Sequence, residues 1–133
     1  MARIYREMPL NSIWEGAGNI MALDLLRALR TGPVADALMH EVEPARRAHP
    51  AIARLADAVH HGLDGATGEA QARRLAREVA LLVQAALLQQ SSPAAVADAF
   101  CVSRLEQSAD VFGLLPHGVD LDAVVARALP QEA

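Results

Sequence analysis

The sequence predicts an all-α fold, an antiparallel helical bundle. Residues that favour helices (Ala, Leu, Arg, Glu and Gln) dominate the chain. No stretch alternates Val, Ile, Thr and aromatic residues around a tight turn, as a β-hairpin does. Hydrophobic residues make up 53% of the chain and aromatic residues only 3%, so the expected core is aliphatic. Amphipathic helices joined by short loops pack most simply as an antiparallel bundle.

One domain accounts for the whole length. A chain of 133 residues lies within the usual size of a single domain. It buries about two thirds of its unfolded surface, and its hydrophobic content excludes disorder as the main state. We expect residues 1–133 to form one helical-bundle domain, with an N-terminal segment over residues 1–18 and the bundle over residues 19–133.

Proline bounds the first elements. Residues 1–8 are expected to form a short helix or a frayed end before Pro9, and residues 9–18 a connector, because the residue before a proline disfavours the α conformation. A helix over residues 19–30 follows. Ile20 begins its apolar face, which repeats at helical spacing.

The next two helices start at prolines. Pro33 suits the first turn of a helix that continues to Arg47, and Pro44 is expected to break or kink that helix. A further helix is predicted over residues 49–61. Its inward residues, at helical spacing, are Ile52, Leu55, Ala56 and Val59.

The longest helix is expected over residues 69–90, after a glycine-rich loop over residues 62–68. At about 1.5 Å per residue it spans the depth of a small bundle. Its inward residues are Leu75, Val79, Leu82, Val83, Ala86 and Leu87. Ser92 is expected to cap the following helix, and Asp120 a last helix over residues 121–129.

Charge and cysteine content limit the functional classes. The chain has 12 basic and 16 acidic residues, and this net charge of −4 makes nucleic acid an unfavoured partner. The single cysteine, Cys101, excludes an internal disulfide and is expected to be a packed core thiol.

The apolar stretch over residues 79–88 is too short for a membrane helix. We expect a cytoplasmic protein without a targeting segment or membrane contact.

Two polar clusters favour ordinary surface roles. His60 and His61 are adjacent, so their side chains point to different helix faces, whereas zinc needs three or four converging ligands. We expect a solvated helix end and no metal site. Arg73, Arg74 and Arg77 form a basic patch, which is more typical of a solvated face than of an anion-binding site.

The least ordinary segment covers residues 3–20 and contains the only Trp and the only Tyr of the chain. Within it, Glu15 lies between Trp14 and Gly16. A carboxylate beside an apolar ring is desolvated, which raises its pKa toward that of a useful general base. The alternative is structural, because Ser12 and Glu15 match the Ser-x-x-Glu capping box. The residues alone favour the capping box.

The same segment carries a family resemblance. Residues 13–20, Ile-Trp-Glu-Gly-Ala-Gly-Asn-Ile, resemble the Ile-Tyr-Glu-Gly-Thr-x-x-Ile motif of acyl-CoA dehydrogenases. Residues 5–16, Tyr-Arg-Glu-Met-Pro-Leu-Asn-Ser-Ile-Trp-Glu-Gly, are most similar to the AidB-like branch of that family. Residues 97–105, Ala-Asp-Ala-Phe-Cys-Val-Ser-Arg-Leu, also resemble that branch. The resemblance implies the C-terminal helical domain of such a flavin-dependent oxidoreductase.

The resemblance implies roles for individual residues. Glu15 matches the catalytic base that removes the α-proton of an acyl-CoA thioester while a hydride leaves the β-carbon for FAD. Gly16 and Ala17 match positions near the flavin, with Ala17 where the family has Thr. Met21 stands where the family often has Gln. Trp14 and Gly16 would shape the surroundings of the base.

The family's other two domains have no counterpart in this sequence. One of them is a β-domain that carries much of the flavin site, so we expect this chain alone to bind no FAD and to be inactive. It is then an excised or truncated domain, or it works with other chains that complete the acyl-CoA site.

The alternative is a non-enzymatic module for oligomerisation or partner binding. We also expect a homodimer, and the candidates for core or interface are Ile20, Leu23, Leu82, Val83 and Leu87.

Overall fold

The computed structural model describes residues 2–12, 16–63, 67–106 and 118–128. All regular structure in these ranges is helical, which confirms the all-α prediction. The α-helices are α1 (Ala2–Glu7), α2 (Gly18–Leu29), α3 (Gly32–Ala48), α4 (Pro50–His61), α5 (Ala72–Ser91), α6 (Ala94–Phe100) and α7 (Leu121–Ala128). Shorter 3₁₀ helices cover Met8–Ser12 and Glu69–Gln71, and a π-helical segment covers Cys101–Glu106. None of the helices in these ranges is both long and apolar enough to cross a membrane.

Helix α5 is the centre of the bundle. Helices α2, α3, α4 and α6 all pack against it. It is 20 residues long, so it extends about 30 Å through the molecule. Its buried residues recur at helical intervals and are Ala72, Leu75, Val79, Leu82, Ala85 and Ala86. The three alanines at this face let the neighbouring helices approach closely.

The core is aliphatic, as the composition predicts. The largest fully buried side chains are Ile52, Leu82, Val42, Val59 and Cys101. Each large aliphatic side chain contributes about 1.5–3 kcal/mol when it leaves water. Phe100 is only partly buried and packs against the edge of this core. The stability of the bundle therefore depends on aliphatic side chains from several helices rather than on one aromatic centre.

Side-chain caps define two helix starts. His49 Nδ1 accepts a hydrogen bond from the backbone N–H of Ala51 at 3.1 Å, and Pro50 occupies the first turn of α4. Asp120 Oδ1 accepts a hydrogen bond from the backbone N–H of Ala123 at 2.9 Å. The predicted cap at Asp120 is therefore confirmed, and α7 begins directly after it.

Pro44 is expected to break or kink its helix, and of these two effects the break is wrong. Helix α3 continues through Pro44 to Ala48. Proline has no N–H to donate to the carbonyl of His40, one turn earlier. Both residues are exposed, so water can hydrogen-bond that carbonyl. Meanwhile Val42 and Ala45 hold the opposite face of α3 in the core.

Two other local predictions need correction. Ser92 does not cap α6, because Pro93 is the residue that precedes the helix and no side chain caps it. Ser92 instead ends α5, where its N–H donates to the carbonyl of Leu88 at 2.9 Å. The expected connector over residues 9–18 is partly helical, since Met8–Ser12 is a 3₁₀ helix.

Two residues assigned to apolar faces are exposed. Ile20 is 54% exposed and Leu87 is 49% exposed. The buried residues of α2 are Ala22, Leu26 and Leu29. The apolar faces of α2 and α5 are therefore wider than the surfaces that their neighbours cover.

Candidate functional site at the start of helix α2

The motif that resembles a dehydrogenase directly precedes α2. Its proposed base, Glu15, lies outside the described residues, and so does Trp14. The capping box with Ser12 therefore stays a prediction, as does the catalytic role. Gly16 and Ala17, which the resemblance places near the flavin, belong to the described part and define how the chain enters α2.

Gly16 has a backbone conformation that favours glycine. Its φ is +114°, which side-chain-bearing residues rarely adopt. A Cβ at this position would lie 3.5 Å from Cγ2 of Ile20, an ordinary van der Waals contact. The requirement for glycine therefore comes from the backbone and not from a lack of space. Gly18 has no positive φ and is simply the first residue of α2.

Ala17 is the N-cap residue of α2. Its backbone is extended, with φ −66° and ψ 151°. Its carbonyl accepts hydrogen bonds from the N–H groups of Ile20 at 2.8 Å and Met21 at 3.2 Å. Its methyl group cannot accept a hydrogen bond from the first turn, so the N-cap side chain does not cap this helix. The N–H groups at this end and the helix dipole therefore favour an acceptor or a negative charge nearby.

Arg73 of α5 lies beside the same helix end. A Cβ on Gly18 would be 4.0 Å from Nη2 of Arg73. Its guanidinium adds positive charge where the α2 dipole is already positive. The sequence predicts that Arg73 lies in a solvated patch, and Arg73 is exposed, but the sequence does not predict its approach to the start of α2. Helical periodicity gives the faces of α2 and α5, but it does not give the register in which they pack.

Helices α2 and α5 border an open apolar groove of about 410 Å³. The residues that line it are Gly18, Met21, Ala22, Leu25, Arg73 and Ala76. The small residues Gly18, Ala22 and Ala76 give the groove its depth. Among the described residues that line it, Arg73 alone is ionisable. This groove can hold apolar side chains or a short aliphatic group, but these lining residues offer no general base.

A second and more polar pocket, of about 220 Å³, lies between α4 and α5. Its polar lining residues are His61, Thr67, Gln71, Arg74 and Glu78. Arg74 Nε donates to Glu78 Oε1 at 2.9 Å, and this hydrogen bond with the carboxylate raises the pKa of Arg74. The Glu78 side chain is only 19% exposed, so the ion pair occupies the pocket wall.

His60 and His61 point apart, as predicted. His60 lines a different cavity, between α3 and α4, while His61 lines the polar pocket. Across the described ranges, no three His, Cys, Asp or Glu side chains are arranged to hold a metal ion.

Cys101 is a buried thiol, as predicted. It is fully buried at the start of the π-helical segment. Burial raises the pKa of this thiol, because the charged thiolate loses its hydration, although a hydrogen bond with Gln89 acts in the opposite direction. A buried thiol with a raised pKa is a poor nucleophile, so Cys101 is a packing residue.

Part of the chain is similar to an acyl-CoA dehydrogenase. A 29-residue segment is 72% identical to "Putative acyl-CoA dehydrogenase AidB" of Escherichia coli (strain K12). The match covers 22% of this chain and 5% of the E. coli protein, so it extends over a small part of that relative. The predicted similarity to the AidB-like branch is confirmed over this segment. No protein-family model matches the chain, and no solved structure matches it.

Proposed function

We propose that this chain is the C-terminal helical part of a flavin-dependent oxidoreductase related to acyl-CoA dehydrogenases. The parent activity is oxidation of the CH–CH bond of an acyl-CoA thioester. The observation that carries the proposal is the 72% identity to AidB over 29 residues. The all-α fold and the glycine-specific backbone of Gly16 within the Glu-Gly motif support it.

In this proposal Glu15 is the base that removes the α-proton. A base of this kind needs a raised pKa and a site from which water is excluded. Gly16 and Ala17 bring main-chain atoms toward the flavin. Because Ala17 has no hydroxyl where the family has Thr, any contact from this position to the flavin is made by the backbone.

The described residues of one chain do not by themselves form a complete site for FAD. The groove beside Gly18 is a single open face about 410 Å³ in volume. An isoalloxazine ring requires walls on both sides, since ligand sites bury most of the surface of their ligand. We propose that other domains or chains supply the second wall and the acyl-CoA site, and that the chain alone is inactive. A cytoplasmic location and a homodimer complete the proposal.

A chimera tests this proposal. The part of E. coli AidB that corresponds to this chain in the proposal is replaced by residues 1–133 of this chain, and bound flavin is measured by its visible absorbance. We expect the chimera to retain FAD and the chain alone to release none on denaturation. A folded chimera without flavin would contradict the proposal, as would stoichiometric flavin on the isolated chain.

Two variants separate the roles of the motif residues. Glu15→Gln in the chimera should retain the flavin but slow its bleaching by an acyl-CoA substrate by at least about 100-fold, within the usual contribution of a general base. Ala17→Thr restores the family residue and serves as the matched control, with flavin retained and bleaching undiminished. If the Glu15→Gln chimera and the parent chimera bleached at equal rates, Glu15 would not be the base of the reaction.

The alternative is a non-enzymatic module for oligomerisation or partner binding. The exposure of every residue from Ala2 to Leu10 favours it, because several of these residues are large and apolar. A chimera that folds and associates but stays colourless would support this alternative. Nucleic acid is not part of either proposal, since the net charge is −4.

A further inference from the structure

The polar pocket between α4 and α5 is kept open by a glycine. A Cβ on Gly62 would lie 3.1 Å from Oγ1 of Thr67 and 3.3 Å from Cδ1 of Leu75, closer than most side-chain carbons approach a neighbour. Gly62 has an ordinary φ of −63°, so its missing side chain, and not its backbone, is what this space requires. The volume of about 220 Å³ is several times the roughly 30 Å³ of one water molecule, so the pocket admits a small organic molecule.

An ion pair forms the charged wall of the polar pocket. Arg74 Nε donates to Glu78 Oε1 at 2.9 Å, and both side chains line the pocket. The Glu78 side chain is 19% exposed, whereas Glu43, in a comparable pair with Arg47 on α3, is 43% exposed. Charges interact more strongly where less water surrounds them. The pocket therefore presents a partly buried carboxylate beside an exposed guanidinium.

Both charged groups have the capacity for further hydrogen bonds. A guanidinium has five N–H donors, and a carboxylate has about four acceptor positions. The hydrogen bond between Arg74 Nε and Glu78 Oε1 uses one of each. Thr67 and Gln71 add a hydroxyl and an amide to the same lining. The pocket therefore combines two opposite charges with neutral donors and acceptors.

The charges of the lining favour a ligand that carries both signs. The Glu78 carboxylate disfavours an anion, and the Arg74 guanidinium disfavours a cation. The C-terminal end of α4, which contributes His61 to the lining, is the negative end of a helix dipole and favours a positive group. A molecule with an ammonium and a carboxylate on one carbon holds its charges side by side, as the Arg74–Glu78 pair does.

We propose that the polar pocket binds an aliphatic α-amino acid. The ammonium lies against Glu78 and the end of α4, while the carboxylate accepts hydrogen bonds from Arg74 and Gln71. The aliphatic side chain lies on Leu75, which is buried at the base of the pocket. The pocket shares no lining residue with the groove beside Gly18, so this inference needs no flavin and is independent of the proposed enzymatic role.

Three ligands of matched shape test the requirement for both charges. L-Leucine is titrated into the full chain and compared with 4-methylpentanoate, which lacks the ammonium, and with 3-methylbutylamine, which lacks the carboxylate. We expect L-leucine to shift the amide NMR signals of Gly62, Thr67 and Gln71 with a Kd of about 1 mM, and each analogue to bind at least about 10-fold more weakly. The absence of shifts at about 20 mM L-leucine, or equal binding of either analogue, would overturn the proposal.

Two variants of the charged wall test its part in binding. Arg74→Gln and Glu78→Gln each remove one charge and should weaken L-leucine binding by at least about 10-fold. Arg74 is 75% exposed, so its replacement does not threaten the fold, and it decides the test if circular dichroism shows that Glu78→Gln unfolds the chain.

Glu43→Gln is the matched control, because Glu43 accepts a hydrogen bond from Arg47 in a similar pair outside the pocket. We expect this variant to bind L-leucine as the unmodified chain does. Undiminished binding by the Arg74→Gln chain, or an equal loss in the Glu43→Gln control, would contradict the proposal.

Discussion

Gly16 and Ile20 meet across the first turn of α2, where a Cβ on Gly16 would lie 3.5 Å from Cγ2 of Ile20. Space for a methyl group is therefore present at Gly16. The φ of +114° is nevertheless a backbone angle that favours glycine. A larger residue at Gly16 would therefore strain the backbone without a steric clash.

Gly16→Ala should lower the free energy of unfolding by about 1–3 kcal/mol, the usual strain of a positive φ in a residue with a side chain. Gly68→Ala is the matched control, because Gly68 has ordinary backbone angles and a Cβ there meets nothing within 4 Å. Its effect should stay within about 0.5 kcal/mol. Urea unfolding measures the free energy of unfolding of both variants. Equal losses would show that the positive φ of Gly16 does not disfavour a side chain at this position.

Leu82→Ala should cost about 2–5 kcal/mol, because Leu82 is fully buried on the central helix and its removal leaves a cavity. Leu87, on the same helix, is 49% exposed, so Leu87→Ala should cost less than about 1 kcal/mol. Thermal or urea unfolding of the two variants measures this difference. Similar losses would mean that Leu87 is covered in solution.

Pro44→Ala should stabilise the chain by about 1–2 kcal/mol. Alanine restores the hydrogen bond to the carbonyl of His40 and suits a helix interior better than proline. Pro33→Ala is the control, since Pro33 lies in the first turn of α3, where its missing N–H costs nothing. We expect Pro33→Ala to be neutral or slightly destabilising by chemical denaturation. A destabilised Pro44→Ala variant would mean that the proline ring itself packs favourably.

Glu15→Gln should change the stability of the isolated chain by less than about 1 kcal/mol. Glutamine still serves a capping box, so the substitution removes only the charge. Calorimetry against the unmodified chain measures the change. A much larger loss would indicate that Glu15 is structural, for instance through a buried ion pair.

The stability of the chain should decrease at alkaline pH partly through Cys101. Burial raises its pKa in the folded state, so the folded protein holds the thiol proton more tightly than the unfolded chain. This contribution is complete below the unfolded thiol pKa, about 8.5, and is lost as the pH rises toward the folded pKa. Between pH 7 and pH 10 the melting temperature of the unmodified chain should therefore fall more than that of Cys101→Ala. Equal decreases in the two melting temperatures would show that the pKa of the Cys101 thiol is the same in the folded and the unfolded chain.

Local signals predict much of the helical layout. The predicted and observed bounds of α2 differ by one residue at each end, and those of α4 differ by one residue at its start alone, since Pro50 and the turn after Leu29 mark them clearly. Asp120 caps α7 because a carboxylate before a helix satisfies its first N–H groups. Ser92 shows the limit of such signals, because the following Pro93 takes the N-cap position instead.

Tertiary packing explains what the sequence does not predict. Leu87 and Ile20 match the apolar periodicity of their helices, yet no neighbouring helix covers them fully. Arg73 approaches Gly18 only because α2 packs on α5 in one particular register. The positive φ of Gly16 is a conformation that glycine readily adopts, but no pattern in the sequence predicts the groove beside it.

The central position of α5 has a consequence for local opening of the molecule. Helices α2, α3, α4 and α6 all contact α5, so its amide protons can exchange with solvent only when most of these contacts separate together. Helix α1 buries no residue, and in the monomer its amides exchange through fraying alone. Hydrogen exchange should therefore show a slowly exchanging centre at α5 and a rapidly exchanging helix α1.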